Sequence, residues 1–254
     1  MKKILLPLIA VCCLAPAAVF AAQQHPLVTD MAQTVEERKL EAETALEYIS
    51  DDQDGRKASA FKFEETITAG IIPKVDAFIK IPYSRVKVEQ GGASNTENGF
   101  NDFTIGAKWN FVTVDKTALS VKPYLTLPVG DEDKGFGTGK TGYGASLIAT
   151  MELDKQLSFD ANLVLDHQER KGADSVNTFG GAVAGKFQAT KELKALAEVV
   201  VSKEDTDGAK AQSFLTVGAI YEVAKDIDVD GGLRLGLTKE TEDYAILAGV
   251  TFKF

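Results

Sequence analysis

Few residues of this 254-residue chain have the types and spacing that chemistry needs. Gly135 to Gly144 is dense in glycine and contains Gly139-Lys140-Thr141, the ending of a phosphate-cradling loop. Such a loop needs its first glycine five residues before Gly139, where Lys134 stands. The segment also joins two strands and opens no helix, so it lacks the helix N-terminus that would hold a phosphate. Asp51-Asp52-Gln53-Asp54-Gly55 begins like a calcium loop, but the twelfth position is Lys62 instead of a bidentate Glu. It reads as a solvated hairpin loop. Acyl transfer needs a nucleophile beside a base. The chain's two histidines are His25 and His167, and Ser158 falls on the opposite strand face from His167. Carboxylate pairs such as Asp160 with Asp166 and Asp228 with Asp230 are what a charged chain yields by chance. The expectation is no catalytic residue, no metal site and no cofactor.

The chain therefore has to be understood from its elements. A net charge of -9 and a sequence pI near 4.9 argue against nucleic-acid binding, which wants a basic face. Met1-Lys2-Lys3, the apolar run Ile4 to Phe20 and the small residues at Ala21-Ala22 have the form of a secretory signal peptide, read as residues 1–22. Its removal takes away Lys2, Lys3, Cys12 and Cys13, leaving a mature chain of net charge -11 with no cysteine. Disulfides and thiolate metal sites are then excluded. Beyond the leader, no apolar run is long enough for a membrane helix. A β-barrel is the membrane architecture that tolerates a mean hydropathy near zero, because its strands alternate apolar and polar.

The remainder does alternate, with period two. Tyr244, Ile246, Ala248, Val250, Phe252 and Phe254 share one face, and Phe103, Ile105, Ala107, Trp109 and Phe111 share another. Twelve strands are predicted, at 39–50, 57–69, 73–87, 100–111, 117–129, 142–153, 156–168, 176–189, 192–202, 211–223, 226–238 and 243–254. Connections alternate between short turns and longer polar loops, the latter including Asp51 to Arg56, Val88 to Gly99 and Gly130 to Thr141. That alternation fits an outer-membrane barrel with both termini in the periplasm better than a soluble Greek-key sandwich. The expected fold is a single all-β antiparallel transmembrane barrel over 39–254, preceded by a short periplasmic or lumenal segment at 23–38. Glu65 falls on the expected lipid face, which calls for a bulge or a position above the bilayer.

Several segments resemble a known family. They are His25-Pro26-Leu27-Val28-Thr29-Asp30, Ile81-Pro82-Tyr83, Gly99-Phe100-Asn101-Asp102-Phe103, Leu119 to Asp131, Gly135-Phe136-Gly137-Thr138-Gly139 and the ending DYAILAGVTFKF. Together they resemble the outer-membrane barrels named after the meta (MetA) pathway of phenol degradation, over nearly the whole mature chain. The resemblance implies a transporter for small solutes, including hydrophobic or aromatic ones, in the bacterial outer membrane. The rival is a closed barrel with a structural or interaction role in the envelope. Tyr244, Phe252 and Phe254 resemble the C-terminal signal for membrane insertion, which implies the barrel assembly machinery as a partner, with lipid and lipopolysaccharide around the wall. Inward-facing Lys62, Glu64, Asp76, Lys80, Lys108, Lys122, Asp160, Lys186, Glu198 and Arg234, joined by Lys194 and Glu222, are the candidate pore lining. Inward glycines and alanines, among them Gly106, Gly144, Gly180, Ala182, Ala184, Gly232, Gly236 and Gly249, are expected to leave open space.

Overall fold

The structure is a computed structural model that describes residues 25–254. The proposed leader lies outside the described residues. From the amino end the strands are β1 Leu40–Gln53, β2 Arg56–Ile72, β3 Val75–Gln90, β4 Ala93–Phe100 and β5 Phe103–Val114. They continue as β6 Thr117–Leu127, β7 Gly142–Glu152, β8 Leu157–Arg170, β9 Ala173–Gln188 and β10 Leu193–Glu204. The last three are β11 Gln212–Ala224, β12 Ile227–Gly236 and β13 Tyr244–Lys253. Neighbours pair antiparallel, and β1 pairs with β13 from Glu41↔Lys253 to Ser50↔Tyr244, which closes the sheet.

β4 and β5 occupy one position in the wall. Both pair with β3, β4 through Tyr83↔Phe100 and β5 through Lys80↔Thr104, with the ladder interrupted at Asn101–Asp102. The barrel thus has twelve wall positions, as the alternation predicts. Pro82 of β3 lies opposite the interruption. It can offer a carbonyl but no N–H, and the Asn101 N–H donates to that carbonyl at 2.9 Å.

The barrel is apolar outside and charged inside. Leu163, Phe61, Val183 and Trp109 expose more than half their surface, while Asp76, Lys122, Asp160 and Glu198 expose 1% or less. A water-soluble sheet would bury the first set and expose the second; hydrocarbon outside and a polar lumen inside explain the inversion. Tyr244 and Phe252 are partly exposed and Phe254 strongly so, on the outward stripe. No helix among the described residues is long and apolar enough to cross a membrane, and this wall crosses with strands.

Two expectations need correction. Val88 to Gly99 is not a loop: β3 runs to Gln90, turns tightly at Gly91-Gly92 and returns as β4. Asp51 to Arg56 likewise closes as a tight turn at Asp54-Gly55. All four turn residues have positive φ, 59° and 81° for the glycine pair and 51° and 77° for Asp54 and Gly55, the backbone a two-residue hairpin requires. Above the lipid both faces of a strand are wet, so apolar alternation ends before the strand does. The bulge expected at Glu65 is the second correction. The register Thr44↔Glu65↔Ile81 is unbroken, so there is no bulge. Instead the outward Thr44 hydroxyl donates to the Glu65 carboxylate at 2.6 Å. Thr44→Val should therefore destabilise the barrel by about 1–3 kcal/mol, and adding Glu65→Leu should recover the loss. The midpoint of heat-induced mobility shift on gels measures both; an unchanged midpoint for Thr44→Val would show that the pair contributes nothing.

Candidate functional site

The site is the lumen, and its main occupant is the chain's own N-terminal segment. Residues 25–38 precede β1 and run through the barrel against inward side chains of most strands. Asp30 lies at the centre. Its carboxylate is 2.7 Å from Lys122 Nζ and 3.5 Å from Lys108 Nζ, and its backbone exchanges hydrogen bonds with the Asn162 side chain at 2.7 and 2.8 Å. Glu198, from the far wall, accepts the Thr29 N–H at 2.9 Å, the Thr29 hydroxyl at 2.7 Å and the Val28 N–H at 3.1 Å. His25 donates its backbone N–H to Glu43, and its Nδ1 lies 2.5 Å from the Asp230 carboxylate. Ala32 donates to Thr150, while its carbonyl accepts from Asn110 and Ser120. Val35 donates to Asp76 at 3.2 Å.

These contacts answer a simple requirement. An extended segment with no strand partner must satisfy its backbone groups elsewhere, and a low-dielectric interior makes an unpaired group costly. Side chains on the wall supply the partners. Small residues supply the room: a Cβ at Gly218 would come within 2.8 Å of Pro26, and one at Gly249 within 2.6 Å of His25 Nδ1. The expectation that the small inward residues leave open space is therefore corrected. Gly218, Gly232 and Gly249 lie under the segment, Gly106 and Gly144 lie under the rings of Phe78 and Tyr124, and Gly236 lies against the backbone of Glu242. Ala182 and Ala184 belong to packed apolar clusters.

The predicted lining residues all belong to strands of the wall, and most are brought into pairs. Asp76, Lys108, Lys122 and Glu198 touch the N-terminal segment itself. Lys80 pairs with Glu64 at 2.8 Å and Lys186 with Asp160 at 2.5 Å, while Thr150 also donates to Asp160. Arg234 bridges Glu47 at 2.8 Å and Glu242 at 3.3 Å and stacks over the Phe214 ring. Lys62 lies beside Glu47 in the β1–β2 register and is only half-buried; Lys194 is half-buried and Glu222 exposed near the strand ends. Asp30, Asn110, Asn162, Thr150, Glu43 and Asp230 complete the lattice and were not among the predicted residues. Asp30 stands in a segment singled out by its motif, but nothing in a linear string shows that its partners are 78 to 132 residues away.

At the end where the termini lie, the lumen opens into a cavity of about 460 Å³ lined by Gln33, Glu41, Lys194, Asp228 and Lys253. The opposite end is covered by the loop from 128 to 141. There Phe136, 5% exposed, packs on Ile49, Ala60, Val86, Ala245 and Leu247. Asp102 holds the loop by accepting the N–H groups of Gly130 and Thr138, each at 2.9 Å. A short 3-10 turn, Glu132–Lys134, is capped by Asp131, whose carboxyl is held below the usual carboxylate range by the Lys134 ammonium and by backbone N–H donors. His167 stacks on Tyr143 and bonds Asn177, far from Ser158 on the same strand.

Residues 27–254 match the family described as "Putative MetA-pathway of phenol degradation". Among solved structures, an outer membrane channel from Pseudomonas putida F1 superposes with a TM-score of 0.76 at 12% identity, covering 88% of this chain and 98% of that one. The NanC porin gives 0.59 at 13% identity, with 85% and 100% covered. The β domain of a Bordetella autotransporter gives 0.57 at 12% identity, with 86% and 100% covered. At these identities the likeness concerns the fold: an outer-membrane β-barrel in a lipid environment. A comparison with curated proteins found no match.

Proposed function

This chain belongs to the phenol-degradation MetA-pathway family, and from that premise we propose that it is a passive outer-membrane channel for small solutes, hydrophobic and aromatic ones among them. One observation carries the reading. The barrel is not filled by its own wall alone; its centre is occupied by a separate segment held mainly through side-chain contacts, which can shift without breaking any wall ladder. A displaceable filling is what a gated channel uses, and a purely structural barrel could close itself with larger wall residues. Wall charges of both signs then keep the path wet and disfavour strong ion selectivity. The family's description supports aromatic solutes, and so does the apolar packing around Phe136 and Phe214 in the half of the lumen away from the termini.

In this reading the leader directs export, both termini face the periplasm and the 128–141 loop faces outward. The outward Tyr244, Phe252 and Phe254 serve recognition by the barrel assembly machinery. Acidic tips such as Asp131 and Glu132 sit at the level of lipopolysaccharide. Swelling of liposomes that hold the purified protein tests the function. The expected result is influx of small solutes above protein-free liposomes, faster when residues 23–38 are deleted. No influx with or without those residues would sink the channel and leave the closed structural barrel.

A further inference from the structure

We propose that the cavity at the end where the termini lie binds a small zwitterion of the amino-acid type, with its ammonium on Glu41 and its carboxylate on Lys194. The site goes beyond the channel reading, because its occupancy is measured without any transport.

Of the inward charges that border this cavity, most are already paired. Lys253 Nζ lies 2.6 Å from Asp228, Lys186 Nζ 2.5 Å from Asp160 and His25 Nδ1 2.5 Å from Asp230, while Glu43 accepts the His25 N–H. Glu152 and Lys155 stand at the exposed rim. Glu41 and Lys194 differ from all of these. Both border the cavity, both are half-buried, and neither makes an ion pair or a hydrogen bond among the described residues.

The register explains why they are left over. Glu41 of β1 lies opposite Lys253 of β13, but that ammonium is turned to Asp228 of β12. Lys194 of β10 lies opposite Gln188 of β9 and Ile220 of β11, neither of them an acid. Around the wall the order is β1, β13, β12, β11, β10. Four strand spacings, about 19 Å along the wall, therefore separate the two backbones. The side chains do not meet, yet both enter one cavity, and a solute fits between their ends.

The chemistry of that solute follows from what the site lacks. A half-buried charge has lost part of its hydration and, here, has no counter-charge in return. A solute with one charge would satisfy Glu41 or Lys194 and leave the other alone. A zwitterion satisfies both and adds no net charge. Its body also has an apolar seat, since Ile220, in register with Lys194, packs on the cluster of Leu27, Ala184 and Leu196. Two polar atoms of the N-terminal segment beside the cavity, His25 Nε2 and Gln33 Oε1, are buried without a partner, so polar partners are short on that side too. The volume of about 460 Å³ is in the range that holds a small organic ligand.

Equilibrium dialysis of the purified full chain in detergent tests this with three radiolabelled probes that share a benzene ring. They are L-phenylalanine, phenethylamine with the ammonium alone, and 3-phenylpropionate with the carboxylate alone. At neutral pH phenylalanine should bind saturably and at least tenfold more tightly than either of the others. Glu41→Gln should weaken phenylalanine at least fivefold and bring it level with 3-phenylpropionate. Lys194→Gln should bring it level with phenethylamine. The exchange of Glu41→Lys with Lys194→Glu should restore binding, with the solute reversed. If a variant fails to reach the membrane, the ranking of the three probes on the wild type decides in its place. No saturable binding, a singly charged probe that binds as tightly as phenylalanine, or unchanged binding in both Gln variants would overturn the site; with liposome influx intact, the channel would stand. Phenylalanine binding of the stated selectivity without influx would support the site and sink the channel.

Discussion

Asp30→Ala should release the N-terminal segment from the lumen. Lys122 exposes 1% of its surface and Lys108 4%, and Asp30 is a carboxylate shared by both. Removing one member of a buried ion pair costs about 3–5 kcal/mol, because the opposite charge stays behind in a poor solvent. The wall ladders are untouched, so the barrel should still form and the loss should fall on the segment's own equilibrium between docked and released states. At about 1.4 kcal/mol per factor of ten, the released fraction should rise about a hundredfold or more. Val28→Cys, placed in a described region that has no cysteine, reports this directly through its rate of labelling by a water-soluble maleimide. A labelling rate in Val28→Cys/Asp30→Ala equal to that of Val28→Cys alone would show that Asp30 does not hold the segment.

Phe136→Ala should have the second largest effect, at the other end. Truncating a buried Phe removes about 3–5 kcal/mol of packing, here from a loop that Asp102 and the Glu132–Lys171 ion pair otherwise hold. The strands do not depend on that ring for their pairing, so the heat-shift midpoint should fall little while the loop loosens. Protease added to intact cells should then cut between Asp131 and Lys140 at least tenfold faster than in the wild type. Equal cutting rates would mean that the ring does not secure the loop; cutting only after lysis would place the loop in the periplasm and reverse the proposed orientation.

The wall was legible in the sequence because lipid and lumen are opposite solvents. Each strand between them must alternate, so Tyr244 to Phe252 or Phe103 to Phe111 reveal both strand and facing without any partner being known. The same logic explains what was hidden. Ala93 to Phe100 is strand, but both its faces are largely exposed, and Ser94, Asn95, Thr96 and Glu97 show no apolar side. The charged lumen residues were legible one at a time. Their partners were not, because Lys122 with Asp30 and Glu198 with Thr29 join positions 92 and 169 residues apart. The small inward residues were open to two readings, space or contact. Only the path of Pro26 over Gly218 and Gly232 distinguishes them. Glu65 looked like an error of register and is instead an outward carboxylate provided with its own donor, Thr44.

The central claim is a channel whose lumen is filled by its own N-terminal segment, and ion conductance across a planar bilayer tests it most directly. The purified full-length chain and the chain lacking residues 23–38 should be recorded in the same salt. The account predicts small, infrequent current steps for the former and a steady conductance at least tenfold larger for the latter. Equal conductance in the two, or no current step from either, would contradict it.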